Sequence, residues 1–275
     1  MVTVSSEYRR HLPTAEDLPD SDETPVDNEL QNHIPNILLS LLAEIWADRD
    51  DWFWGVDMGI YYEPNIEEPE KSKCIVPDGF LALGVPRNTG EGGRLSYLLW
   101  HEKALPILAL EVVSKKYNGE YDLKLAKYEE LGILYYVAYN STTGRKIYKK
   151  HQSLEVYKLI NGKYELMPSV ALLQQEGGGQ MVWIPEIELG IGCEQNVLDN
   201  WSREWVYWYD RDGMRYPTAQ ERASRAEERA SRAEEQASRA EAIATQARLA
   251  NQQVEQKAQR LAKKLKEMGI EPDEI

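Results

Sequence analysis

The feature that most narrows the folds open to this chain is Pro106 to Ser114, an almost continuous apolar run broken by one carboxylate, Glu111. A strand with no polar alternation suits the middle of a sheet covered on both faces. Directly after it, Glu120 to Leu131 reads as a helix that stops at Gly132, and Ile133 to Tyr139 reads as another strand. Strand, helix and strand at this spacing make a crossover unit, which sets the two strands parallel.

Around this unit the pattern is mixed. Trp52 to Tyr62 and Cys74 to Val85 are aromatic and β-branched enough to be strands, joined by a Pro- and Glu-rich connection through Lys73. Downstream, Lys146 to Lys150, Ser153 to Ile160 and Lys163 to Met167 alternate as antiparallel strands, with Asn161-Gly162 as a hairpin turn. From Asp27 a helical pattern places Leu30, Ile34, Ile37, Leu38, Leu41, Leu42, Ile45 and Trp46 at three- and four-residue steps. Pro35 kinks its early part or marks its start. The core is therefore α/β, a central mixed sheet flanked by helices.

The ends differ from this core. Residues 1–26 are rich in Asp, Glu, Pro and Ser and read as a flexible acidic leader, and the core spans 27–215. Residues 216–275 form an alanine-rich helix in which RASRAEE repeats every seven residues. Its seam, from Ala223 through Ala230, Ala237, Ala244 and Asn251 to Leu265 and Met268, alternates three- and four-residue steps. That is the spacing of a coiled coil, and it predicts self-association, with a homodimer as the simplest assembly.

Charge constrains partners. Residues 218–275 hold 11 Lys/Arg and 11 Asp/Glu, so the whole net charge of −14 falls on the first 217 residues. A protein that coats nucleic acid normally has a basic excess, so any such contact must come from a local patch such as Arg145, Lys146, Lys149, Lys150 and His151. Apolar runs are too short to span a bilayer, for which roughly 20 residues are needed, and a cytoplasmic setting is expected. Cys74 and Cys193 match neither a disulfide framework nor a zinc cluster, and are expected as reduced core thiols.

Three residues carry candidate chemistry. Glu111 stands where a buried strand should be wholly apolar, so its charge needs a cation, a metal or a hydrogen-bond donor to offset desolvation. Asp78 follows Pro77, where ladder bonding is interrupted. Lys124 shares a helical stripe with Tyr121, Leu125 and Tyr128 that should face the sheet, whereas Lys127 lies off it. Two carboxylates from neighbouring strands can hold a hard cation such as Mg²⁺. A metal and an ammonium together suit phosphodiester hydrolysis.

Pro77-Asp78, then Glu111-Val112-Val113-Ser114, then Asp122-Leu123-Lys124 with Tyr128 and Gly132-Ile133-Leu134-Tyr135-Tyr136, resemble the Uma-type restriction-endonuclease family of the PD-(D/E)XK nuclease superfamily. The resemblance extends to the stretch from Trp183 and to Trp201 through Pro217. It implies a restriction-endonuclease-like fold, DNA as substrate, Asp78 and Glu111 as Mg²⁺ ligands, with Mn²⁺ as a substitute, and a lysine facing phosphate or water. The superfamily pattern places that lysine two residues after the glutamate, where this chain has Val113. The resemblance implies that a lysine from the helix supplies it, which points to Lys124, with Lys115 and Lys116 as rivals. Ser114 is a candidate support, and Glu29 an accessory ligand or a solvated residue; His33 is read as packing. The alternative function is a catalytically inactive nuclease-fold scaffold that works through its coiled coil.

Overall fold

The computed structural model describes residues 12–19, 28–114, 117–141, 151–172 and 178–269. Along the chain run α1 (Glu29–Ile45), β1 (Trp52–Val56), β2 (Ile60–Glu63), β3 (Lys73–Ile75), β4 (Gly79–Leu83) and β5 (Tyr97–Leu98). They are followed by α2 (Leu99–Glu102), β6 (Leu108–Val112), α3 (Leu123–Leu131), β7 (Tyr135–Tyr139), β8 (Leu154–Ile160) and β9 (Lys163–Leu166). The last elements are β10 (Val170–Ala171), β11 (Gly179–Ile184), β12 (Leu189–Leu198), β13 (Trp201–Tyr209) and α4 (Ala219–Glu267). The chain divides into two compact units between Thr218 and Ala219.

The main sheet has the order β1-β4-β6-β7-β8-β9. Its centre, β6 and β7, is parallel, and the strands on either side pair antiparallel. The expected mixed α/β class and the crossover through α3 are therefore both present. Every residue of β6 and β7 is buried. Leu108, Leu110 and Val112 face a core shared with α1 and the sheet β10-β11-β12-β13, while Ala109, Tyr136 and Ala138 pack with Tyr128 of α3. The turn Asn161-Gly162 has both residues at positive φ, 50° and 80°, as a tight hairpin requires.

Two strands expected to be continuous are split. Trp52 to Tyr62 breaks at Asp57, whose φ of 48° leaves the extended region, and only its first half joins the main sheet. Cys74 to Val85 breaks at Val76-Pro77-Asp78, because Pro77 has no N–H for a ladder. Its first part pairs with β2 in the small sheet β3-β2-β5, and its second with β1 and β6. The four-stranded sheet β10 to β13 was not anticipated. Lys146 to Lys150 lies outside the described residues.

Helix α1 begins at Glu29, capped by Asn28, whose side chain accepts from the Leu30 N–H. Pro35 thus lies inside the helix and does not mark its start. It packs against Gly79, where an added Cβ would come within 3.2 Å of the Pro35 Cβ and 2.9 Å of the Trp54 ring. Of the acidic leader, residues 12–19 rest on the small sheet: Leu18 is buried with Tyr61 and Leu98, and the Trp100 indole donates to the Pro13 carbonyl. In the second unit α4 runs unbroken for 49 residues, about 74 Å at 1.5 Å per residue. Met268 and Gly269 follow, Gly269 at φ 79°. Val254, Leu261 and Met268 of the expected seam are exposed.

Both cysteines are free thiols, Cys193 buried and Cys74 half-buried, and burial pushes the Cys193 thiol up to about 12. Only thiolate reacts readily, so in the native protein near neutral pH a chromogenic disulfide reagent should titrate Cys74 and spare Cys193 until the chain unfolds. A Cβ on Gly55 would collide with the Phe80 ring, itself packed by Phe53 and Tyr97. Gly55→Ala should therefore lower unfolding stability by about 1–3 kcal/mol in a urea melt.

Candidate functional site

Antiparallel pairing of β4 with β6 sets Gly79 opposite Leu110. One step further along this register, Asp78 comes across from Glu111. Asp78 sits in the break between β3 and β4, where its carboxylate takes over a role the ladder leaves open: Oδ2 accepts the Val112 N–H at 2.6 Å. Its carbonyl accepts the Asp57 N–H at 3.1 Å, so the split in the upstream strand is tied to the same point.

Glu111 is fully buried on the face that α3 covers. Its Oε2 accepts from Lys124 Nζ at 2.7 Å and its Oε1 from the Tyr128 hydroxyl at 2.6 Å. Lys124 and Tyr128, one helical turn apart, both turn inward, as the stripe predicts. Lys127 instead pairs with Glu130 and lies over the Tyr62 ring. The structure thus brings Asp78, Glu111 and Lys124 together.

The helix is shorter than the sequence suggests. It starts at Leu123, with Asp122 as its cap, and closes on Gly132 at φ 84°. Glu120 lies before it and is fully buried; its two carboxylate oxygens accept the Ser114 and Asn118 N–H groups, both at 2.9 Å. Its carbonyl accepts the Tyr136 hydroxyl at 2.6 Å. Glu120 therefore fastens the connection from β6 to α3 and so places Lys124. Ser114, also buried, accepts from Gln31 Nε2 at 3.3 Å through its hydroxyl. Glu29 is exposed, so the α1 residue that reaches this region is Gln31, whose Oε1 also accepts the Asn28 N–H of the helix cap. Nothing local in the sequence distinguishes Gln31 or Glu120, whose roles depend on contacts made across the fold.

Val113 is a buried apolar residue, which leaves no cation at the position the superfamily pattern would use. Lys115, Lys116, Arg145, Lys146, Lys149 and Lys150 lie outside the described residues. His33 packs its ring against Trp205, as expected of a packing residue.

The electrostatics of the cluster are unbalanced. Burial raises the Asp78 carboxyl well above the usual range, and the Glu111 charge adds to it, against the opposing Val112 N–H. Burial likewise raises Glu111, although Lys124 and Tyr128 pull it back. On Lys124 burial disfavours the ammonium, but the Glu111 ion pair and Asp78 outweigh this and hold its pKa above the ordinary value. Two buried carboxylates face one ammonium. Lys124 is the ammonium both carboxylates share, and burial makes the ionised form of each of them costly.

A divalent cation would offset the charge of both carboxylates in their ionised form. Among the described residues no three His, Cys, Asp or Glu side chains gather into a cation cage. Mg²⁺ does not require one, because it keeps several waters and is held by one or two carboxylates together with substrate phosphates. Each carboxylate oxygen carries two lone pairs, so Glu111 retains acceptor capacity beyond its two present bonds, as does Asp78.

The profile of the family described as "Uma2: Putative restriction endonuclease" matches residues 22–189. The match contains Asp78, Glu111, Lys124 and Tyr128, and it ends at the first residue of β12. No curated protein and no solved structure matches the chain.

Removing the Glu120 carboxylate would leave two N–H groups without their acceptor, each costing about 1–3 kcal/mol where buried. Glu120→Ala should lower stability by at least about 2 kcal/mol in chemical denaturation, and hydrogen exchange should show the Ser114 and Asn118 amides losing protection.

Proposed function

The chain belongs to the family described as "Uma2: Putative restriction endonuclease", and from that premise we propose that it is a Mg²⁺-dependent endonuclease that hydrolyses DNA phosphodiester bonds. The observation that carries this reading is the fully buried Glu111 carboxylate, held by Lys124 and Tyr128, with the buried Asp78 carboxylate beside it. Asp78 and Glu111 would hold the cation, for which Mn²⁺ can substitute. When bound, the metal polarises the phosphodiester and lowers the pKa of a coordinated water.

The side chains divide the remaining work. Lys124, whose ammonium is stabilised by both carboxylates, offsets negative charge that develops on the phosphoryl oxygens. Tyr128 donates to Glu111 Oε1 and fixes the plane of that carboxylate. Glu120 and Gln31 are positioning residues, acting through the β6–α3 connection. The α4 seam pairs two chains, so that two such sites act on the two strands of one duplex, in a cytoplasmic setting. In α4 the small alanines bury little area, and the pairs Arg232–Glu228 and Arg239–Glu235, at 3.7 and 3.6 Å, add only weak i,i+4 support. A helix of this length therefore gains most from a partner.

A second reading is favoured by one observation, the acid excess of the first 217 residues: a nuclease fold retained as a scaffold, with α4 as the working part. Supercoiled plasmid incubated with Mg²⁺ or Mn²⁺ separates the two. The wild type should convert it to nicked or linear forms, and Asp78→Asn and Lys124→Ala should each slow this by about a hundredfold or more, with unchanged circular dichroism. A wild type that leaves plasmid intact with either metal, or variants that cut equally fast, would sink the enzyme reading. For α4, a chain ending at Thr218 should sediment as a monomer while the full chain sediments as a dimer; equal stoichiometry would rule out pairing through the helix.

A further inference from the structure

We propose that His151, oriented by Glu155, is a phosphate-binding residue for a nucleic-acid strand laid across the edge of the main sheet where β6 and β7 end. This rests on the nuclease reading and adds to it a substrate contact two strands away from Glu111. The register makes the placement specific: Glu111 pairs with Ala138, and Ala138 with Glu155. Residues paired across neighbouring strands share a face, so Glu155 lies on the same side as Glu111, about 10 Å away at two strand spacings. On the strand between them the residue in register is the small Ala138.

Glu155 is 4% exposed and collects three donors. The Gln152 N–H lies 3.0 Å from Oε1, the Tyr157 hydroxyl 2.6 Å from Oε2, and His151 Nδ1 3.0 Å from Oε2. The imidazole stacks on Tyr121, with ring centroids 3.6 Å apart and planes 11° from parallel. Tyr121 lies in the turn leading into α3, three residues before Lys124. One side of the ring system is thus fixed by the carboxylate and one face by the phenol. Nε2 has no partner among the described residues, and the side chain is 30% exposed.

That arrangement has a definite chemistry. A carboxylate on Nδ1 fixes the tautomer and offsets the charge of an imidazolium. The outer nitrogen is then presented as a donor, and protonated histidine forms charge-assisted hydrogen bonds with phosphate oxygens. Among the described residues, the titratable groups that contact His151 are Glu155 from β8 and Tyr121 from the turn before α3, and Tyr157 donates to the same Glu155 carboxylate. Burial and the Glu155 charge push the Tyr157 phenol upward, so it stays a neutral donor. In a core carrying a large acid excess, an imidazole donor held at this end of the sheet gives the strand one local point of attachment.

The test is binding of a short fluorescent duplex by the full chain, with Ca²⁺ in place of Mg²⁺, near pH 6 and near pH 8. His151→Gln keeps a donor for Glu155 without the charge, and His151→Phe keeps the stack on Tyr121; thermal melts establish that both fold. Wild type should bind about tenfold more tightly at the lower pH. Both variants should lose that difference, and at low pH their dependence on log salt should be shallower by about one unit. Variants that retain the wild-type pH and salt dependence overturn the proposal, as does a wild type that does not bind. Displacement of the duplex by millimolar inorganic phosphate overturns the assignment to a nucleic-acid strand. If Asp78→Asn abolishes nicking while the His151 variants bind as the wild type does, this contact alone fails. If plasmid stays intact but the pH-dependent binding is present, the contact stands and the catalytic reading fails.

Discussion

A fully buried glutamate in a central strand is the constraint to which the rest of this core answers. Glu111 cannot hold a charge among apolar neighbours without compensation, and the fold supplies it from α3. The need for Lys124 and Tyr128 to reach the same carboxylate decides which side of the helix turns inward. Glu120 then fixes where the helix begins, and Gly132 where it ends. Buried ion pairs are weak contributors to net stability, because desolvation takes back most of the Coulombic gain. Retaining one here, beside a second carboxylate that makes the charge balance worse, is easier to understand as a requirement of chemistry than of folding.

The opposite face of the sheet supports the same place by packing. Gly79 lets α1 come close, with Pro35 and Trp54 filling the space that a side chain would occupy. From the start of α1, Gln31 spans from the helix cap to Ser114 at the end of β6. The cap of one element and the exit of another are thereby linked through one amide. Helix position and strand-end geometry on this side are not independent quantities.

What the sequence disclosed follows from how local each signal is. The β6 run, the β6–α3–β7 crossover, the stop at Gly132 and the Asn161-Gly162 hairpin depend on neighbours within a few residues, and all appear as expected. Lys124 was legible because a lysine on an apolar stripe is anomalous within its own helix. Glu120 was read into that helix, since a buried glutamate bonded to two backbone amides looks in sequence like any helix-starting acid. Asp57 gave no sign of ending a strand, because its positive φ is tied to the carbonyl of Asp78, far along the chain. The second sheet was missed for a related reason: Gly190, Gly192 and Gly179 interrupt its strands, and the pairing that holds them is visible only once β11, β12 and β13 lie side by side.

The segment Val76-Pro77-Asp78 belongs to neither of the sheets it connects. β3 is counted in the small sheet and β4 in the main one, so these three residues set the phase between two otherwise separate ladders. Side chains along a strand alternate faces with a period of two. Adding or deleting one residue here would therefore turn β4 over relative to β3, and would move Asp78 to the side away from Glu111. Chain length at this joint is as strict a specification as residue identity.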